Sequence, residues 1–320
     1  MYSSLLINIL EVKYKILFVI IERMQPQINT KVLMSGAEYF SDQFAINALM
    51  NSAIPVDQAM AVAEHTSIQK ALESIGVQVV KVAAPPDLQD GVYTANWALV
   101  RGENALMSRL PSKRTGEEAY AENYLGSLGF KIVKLPDSVQ RFSGQGDSLV
   151  CGDIVFVQSP YRTSKEAHQY LSSLLGFRKT IALQTKPSRW FGFGPAKKNG
   201  ITGWPDSPTY DLDLAVAILK RPSENQKGLI AWCPEVFTSA SRKIMNQFNE
   251  VDKIEVSKQE AMTSYALNLV STGSAVVMNE GAPIFKAALE SKNLKVITLS
   301  LPELKKGGGS IRCSTLSLDN

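Results

Sequence analysis

The stretch Trp97-Ala98-Leu99-Val100-Arg101-Gly102-Glu103-Asn104-Ala105-Leu106-Met107-Ser108-Arg109 decides how the chain is read. Two apolar runs, Trp97–Val100 and Ala105–Arg109, flank a four-residue polar turn carrying a glycine, which is the signature of a hairpin. A helical stretch, Glu117–Leu128, follows and stops at Gly129; Phe130–Leu135 then reads as a third strand. The unit is therefore strand, strand, helix, strand.

The same unit recurs along the chain. Ser148–Cys151 and Ile154–Gln158 flank Gly152-Asp153 and lead into a helix over Lys165–Leu175, the stop Gly176 and a strand over Lys179–Leu183. A third copy runs from Leu214–Leu219 and Gly228–Cys233 through a helix over Ser239–Phe248 to Lys253–Val256. A fourth has Ala266–Val270, Ala275–Met278, a helix over Ala282–Ser291 and the strand Lys295–Leu299. Near the start, Lys31–Ser35, a helix over Val56–Ile75 and Val77–Val82 make a copy that lacks one strand. Ile311–Leu318, at the other end, has the alternation to supply it. Self-similarity of this kind points to a closed or stacked array of small sheets. The preferred architecture is a ring closed by both termini; a doubly wound sheet is the rival.

The 320 residues are 45% hydrophobic and carry a formal charge of +4. One sizeable core is affordable at this length, and the scattered basic residues do not indicate nucleic-acid binding. Three cysteines without a CxxC pair and two histidines argue against a disulfide framework or a zinc site and suit a cytoplasmic setting. Residues 1–30 read as an N-terminal extension, with 31–320 as a single domain. The apolar run Ile16–Ile21 in the extension is too short to span a membrane. The segment Gln184–Pro208 breaks the repeat with Trp190, Phe191, Phe193 and Trp204, and reads as a lid or binding loop.

Polar clusters sit at the expected ends of the inner strands. Asp90 to Asn96, Phe142 to Asp147 and Tyr210 to Asp213 each place a carboxylate ahead of an apolar strand. Tyr161-Arg162-Thr163 follows a hairpin, Asn268 lies in the last full unit, and Gly307-Gly308-Gly309-Ser310-Ile311-Arg312-Cys313 brings a thiol to a glycine-loop-to-strand junction. Asp211 and Asp213, two apart, would share a face of an extended strand. A ring would aim these acids at one pocket beside Cys313. Acids flanking a thiol suit a planar cation such as a guanidinium, whose electron-poor carbon a cysteine can attack. Taken singly, each cluster is better explained by turns and packing; at equivalent positions in successive repeats they favour function.

In these motifs the chain resembles the guanidino-group-modifying enzymes, which include dimethylarginine dimethylaminohydrolases, arginine dihydrolases and amidinotransferases. Asp90–Asn96 resembles the family's Asp-x-Val-Phe-Thr-Ala-Asn, and Phe142–Asp147 its Phe-Glu-Gly-x-Gly-Asp loop. Cys233-Pro234-Glu235-Val236-Phe237, Asn268-Leu269-Val270-Ser271 and the glycine-rich Cys313 end complete the match. The resemblance implies a five-bladed α/β propeller (the pentein fold) of ββαβ repeats. It also implies a hydrolase acting on a guanidino or ureido carbon through a covalent Cys313 adduct, with no cofactor. Asp211 and Asp213 would be catalytic with Cys313, while Asn96, Asp147, Arg162 and Asp90 would bind the substrate. A small-molecule guanidino or ureido substrate is the implied partner, without nucleic acid or a membrane span, and a homo-oligomer is compatible. The family's usual histidine is Asp211 here, and its usual glutamate is Ser143. The alternatives are a binding-only or impaired member, or an amidinotransferase. His65 and His168 fall on helices and read as structural.

Overall fold

The computed structural model describes residues 27–190 and 194–320. The expected extension falls mostly on residues 1–26, and Phe191 and Phe193 on the aromatic loop; both lie outside the described residues. Its last residues belong to the fold: Ile28 N–H donates to the Thr272 carbonyl at 3.2 Å, and Thr30 donates to Asp319 Oδ2.

The described residues form a mixed α/β fold with five three-stranded sheets. In chain order the strands are β1 (Lys31–Met34), β2 (Gln78–Lys81), β3 (Ala98–Arg101), β4 (Asn104–Met107), β5 (Lys131–Val133), β6 (Ser148–Cys151), β7 (Ile154–Gln158), β8 (Lys179–Leu183), β9 (Val216–Lys220), β10 (Gly228–Trp232), β11 (Val251–Glu255), β12 (Val270–Ser271), β13 (Ala275–Asn279), β14 (Lys295–Leu299) and β15 (Leu316–Ser317). Every sheet has one rule. A first strand pairs antiparallel with the middle strand, and the middle strand pairs parallel with the third. Antiparallel neighbours need only a short turn, whereas the parallel third strand requires a crossover, supplied in each unit by a helix. These helices are Gln58–Ser74, Thr115–Ser127, His168–Leu175, Ser239–Gln247 and Pro283–Ser291.

The middle strands β7, β10 and β13 are buried along their whole length. Their near-continuous apolar runs are what a strand covered on both faces needs. The first sheet is completed from the far end of the chain. β15 pairs antiparallel with β1, Val32 opposite Ser317 and Leu33 opposite Leu316, so chain termini close one unit as the repeat pattern anticipates. First strands also touch across sheets: β15 lies against β3, β6 against β9, and β9 against β12, while the helix Gln58–Ser74 meets β13 and β14.

Three local expectations change. Ala266–Val270 is a strand only from Val270; Ala266 and Leu267 form a turn, in which the Asn268 N–H returns to the Tyr265 carbonyl. The terminal strand is shorter than Ile311–Leu318, because Ile311–Ser314 coil into a turn closed by Ser314 N–H to the Ser310 carbonyl. Asp211 and Asp213 do not alternate along a strand: Leu212–Leu214 is a 3-10 turn. No helix among the described residues is long and apolar enough to cross a membrane.

Candidate functional site

The repeat puts a short helical turn just ahead of each sheet's first strand, and these turns carry the polar groups. Asn96 ends the turn Thr94–Asn96 before β3, Asp147 ends Gly144–Asp147 before β6, and Asp213 sits in Leu212–Leu214 before β9. Asn268 occupies the turn before β12, and Cys313 the turn before β15. Five sheets thus each contribute one residue, all of them buried.

Cys313 is only 2% exposed. Its Sγ donates to Asp213 Oδ2 at 3.2 Å and accepts from Asn268 Nδ2 at 3.1 Å. The Cys313 N–H donates to Asn268 Oδ1 at 3.2 Å, so one asparagine side chain holds both the backbone and the sulfur. Asp211 accepts on both oxygens, from Asn96 Nδ2 at 2.8 Å and from Ser143 Oγ at 3.0 Å. Asp147 Oδ1 accepts from the Leu212 N–H at 3.1 Å and from Gln158 Nε2 at 3.3 Å. Asp213 Oδ1 and Asp147 Oδ2 are buried with no hydrogen-bond partner among the described residues.

Three carboxyls in so dry a place disfavour one another's charge. Burial first, and Asp211 second, push the Asp213 carboxyl up to about 8. The same two causes raise Asp147 well above the usual carboxylate range. Burial, then Asp213 and Asp211, lift the Cys313 thiol well above its ordinary value. The resting sulfur is therefore a thiol, and a cation placed among the acids would reverse that preference.

Glycines make the close packing feasible. A Cβ on Gly146 would stand 2.3 Å from Asn96 Nδ2 and 2.9 Å from Asp211 Oδ2. In the triplet before the cysteine, a Cβ on Gly307 would meet Tyr93 Oη at 2.3 Å, and one on Gly309 would meet the Tyr93 ring at 2.7 Å. The loop lies under buried tyrosines, with Tyr93 Oη donating to the Leu304 carbonyl and Tyr210 Oη to the Gly308 carbonyl.

Cys313, Asp213, Asp211, Asn96 and Asp147 are brought together. Asp90 and Arg162 are buried nearby without a hydrogen bond to that group. Asp90 Oδ2 accepts from Gln89 Nε2 at 2.8 Å, and burial pushes its carboxyl up to about 6 against the opposing charge of Arg114. Arg162 donates to the Ile46 carbonyl at 3.0 Å and lies over the Tyr210 ring, 4.7 Å from its centroid. His65 and His168 stay on their helices, away from the thiol's hydrogen bonds. The aromatic loop packs through Asn199 Nδ2 on the Ala45 carbonyl, and Trp190 is exposed. Asn268 was visible in the sequence as a polar residue of the last full unit and in the Asn268–Ser271 stretch of the resemblance, with no role assigned to it. Arg114 and Glu117 gave no sign beyond an i, i+3 spacing of opposite charges in a helix start.

No family model matches the chain. It is 28% identical to an N(G),N(G)-dimethylarginine dimethylaminohydrolase of Mycobacterium tuberculosis over 89% of this chain and 84% of the relative. It is 26% identical to the bifunctional arginine dihydrolase/ornithine cyclodeaminase AgrE of a Nostoc species over 89% of this chain, spanning only 37% of that longer protein. Among solved structures, the substrate-bound N-terminal domain of the cyanobacterial arginine dihydrolase ArgZ superposes with a TM-score of 0.77 at 23% identity, covering 91% of this chain and 98% of that one. A dimethylarginine dimethylaminohydrolase adduct superposes with a TM-score of 0.66 at 16% identity, covering 92% and 99%. Relatives in sequence and in fold agree with the motifs: the chain is similar in sequence to guanidino-group hydrolases and shares the fold of their solved structures.

Proposed function

We propose that the chain hydrolyses the guanidino (or ureido) group of an arginine-like small molecule through a covalent adduct on Cys313. The observation that carries this reading is the pair of unpartnered buried oxygens, Asp213 Oδ1 and Asp147 Oδ2, in the acid cluster that holds the thiol. A buried carboxylate without a partner is costly. A planar cation offering parallel N–H donors meets both oxygens and matches their charge.

The bound cation ionises Asp213, to which Cys313 then gives its proton as its sulfur attacks the central carbon. The new S–C bond forms, and the C–N bond to the leaving nitrogen breaks as that nitrogen takes a proton from the Asp211 carboxyl. The adduct is an amidino group on sulfur. Water then adds to its carbon and returns a proton to Asp211; the S–C bond breaks and the sulfur takes its own proton back from Asp213, restoring the thiol. One water is consumed, and ammonia or an amine leaves beside a ureido product. Asp211 stands where the family's histidine usually does, and a carboxylate can carry protons in that place. ArgZ, described as covalently bound to a reaction intermediate in one of its structures, supports the covalent route by analogy of fold.

The five sheets are read as the blades of a propeller that aims the five turns at its axis; the contacts between first strands support the ring. The domain so formed runs from residue 31 to 320.

A panel of guanidino and ureido amino acids, assayed for ammonia, amine and urea, tests the activity. Turnover by the wild type and its loss in Cys313→Ser is expected. An inert wild type whose melting temperature one panel member raises would instead favour binding without turnover.

A further inference from the structure

We infer that Asn268 is a catalytic residue of this site: its carboxamide directs the Cys313 proton to Asp213 and holds the thiolate once that proton has left. The inference rests on the nucleophilic role just given to Cys313. Asn268 is fully buried, in a tight turn of the last full unit. Tyr265 opens the turn with a φ of 51°, and its carbonyl accepts the Asn268 N–H at 2.9 Å. The Asn279 side chain, at the end of β13, ties that same carbonyl to the loop ahead of the thiol. Its Nδ2 donates to the Tyr265 carbonyl at 3.2 Å, and its Oδ1 accepts from Ser310 Oγ at 2.8 Å. The turn carrying Asn268 and the loop carrying Cys313 are thus held together independently of the Asn268 side chain.

A backbone N–H only donates, so the oxygen of the Asn268 carboxamide must face the Cys313 N–H, and the NH2 is left for the sulfur. A flipped amide would set two donors against each other at the backbone. The sulfur accepts an N–H at 3.1 Å, so its own proton has to point elsewhere, and it meets Asp213 Oδ2 at 3.2 Å. That proton already lies on the path to the acid that takes it, while Asp213 Oδ1 stays open to the cation. Once the proton has crossed, the NH2 faces a negative sulfur. A hydrogen bond to a charged partner is roughly twice as strong as one between neutral groups. The contact therefore stabilises the thiolate more than the thiol, which separates a catalytic contact from packing. The Ser310 N–H acts on the sulfur in the same sense, and the Asn268 amide also favours the charged form of Asp213. An aliphatic side chain of similar shape would keep the packing and supply neither bond.

The test is Asn268→Leu, followed through the limiting rate at which saturating chloroacetamidine alkylates Cys313 across pH. That rate reports ionisation of the thiol within the complex, whereas the half-saturating concentration reports binding of the cation. Below the midpoint of the wild-type profile the folded variant should be alkylated about three- to tenfold more slowly, because roughly tenfold less thiolate is partly offset by its greater nucleophilicity. The profile should move to higher pH and rejoin the wild-type rate there. The half-saturating concentration should change little, because Asp147 and Asp213 remain. A rate lowered equally at every pH, as a merely structural asparagine would give, overturns the assignment, and so does an unchanged profile. If leucine prevents folding, the wild type answers alone. With acetamidinium, the unreactive parent of the reagent, bound, one side-chain amide proton of 15N-asparagine-labelled protein should move downfield as rising pH ionises the thiol, and none should do so in Cys313→Ser. No such movement overturns the assignment. A wild type inert on the guanidino panel defeats the hydrolase reading by itself, since neither alkylation nor the amide shift needs turnover.

Discussion

Ser143 Oγ donates to Asp211 Oδ1 across 3.0 Å. These are the two positions at which the resemblance implies a glutamate and a histidine, and they are bonded to each other. The departures therefore form one substituted unit, buried beside the thiol's own partner Asp213, rather than two independent losses. Asn96 completes that unit through Nδ2.

Asp211→Asn keeps the shape but removes the carboxyl proposed to carry the proton. Turnover is expected to fall by about 10²–10⁴, the usual contribution of a positioned acid or base, with little change in melting temperature. Ser143→Ala in the same background should add almost nothing further, since the two act together. Independent, multiplying losses of kcat would argue against the unit.

Gly146→Ala inserts a methyl against Asn96 and Asp211. Overpacking of this kind costs about 1–3 kcal/mol, and here it also displaces the Asp211 carboxyl. Denaturant melts and kcat should both register it. A variant with wild-type stability and rate would mean that this wall yields freely.

Burial and Asp211 hold the Asp213 carboxyl at about 8, against roughly 3.9 in an unfolded chain. Between those values the folded state keeps a proton that the unfolded state releases. Stability of the unliganded protein should thus fall as pH rises through the window from about 4 to about 8, with no contribution to the slope on either side. His65 works on the acid side: burial pushes it down to about 4, so stability is also lost as pH falls from roughly 6.5 toward that value. Thermal melts across this range should show Asp213→Asn with a shallower alkaline decline than the wild type. Equal slopes would contradict the burial of a protonated Asp213.

Cys313 rests as a thiol among acids, and a cation among those acids should draw out its thiolate. Chloroacetamidine, a cation, should alkylate Cys313 faster than the neutral chloroacetamide does, and faster than it alkylates Cys151 or Cys233. Burial pushes the Cys151 thiol up to about 12, and its Sγ lies against the Lys220 carbonyl. Peptide mapping of the modified protein gives the three rates. Equal rates at the three cysteines, or no preference for the cation, would deny Cys313 its pocket.

The repeat was legible because its punctuation is local. Ser148–Cys151, Ile154–Gln158, Lys179–Leu183 and Lys295–Leu299 are strands with the limits expected from their apolar runs. Closure of the first sheet by the terminal strand was legible as well, because one unit lacked a strand and one strand lacked a unit. The errors fall where a tight turn overrides alternation. Ala266–Leu269 alternates like a strand, yet Tyr265 takes a φ of 51° and the chain turns there. Asp211 and Asp213 have strand spacing but meet through a 3-10 turn. Arg114 could not have been singled out, because Asn96, to which its Nη1 donates, comes before it in a different element and no periodic pattern links the two.

Intact-protein mass spectrometry after acid quenching tests the central claim most directly. Wild-type protein mixed with a guanidino substrate that it turns over should carry an amidino adduct that maps to Cys313, and Asp211→Asn should accumulate it. Cys313→Ser should show neither adduct nor turnover. Undiminished release of ammonia or amine by Cys313→Ser would contradict the account.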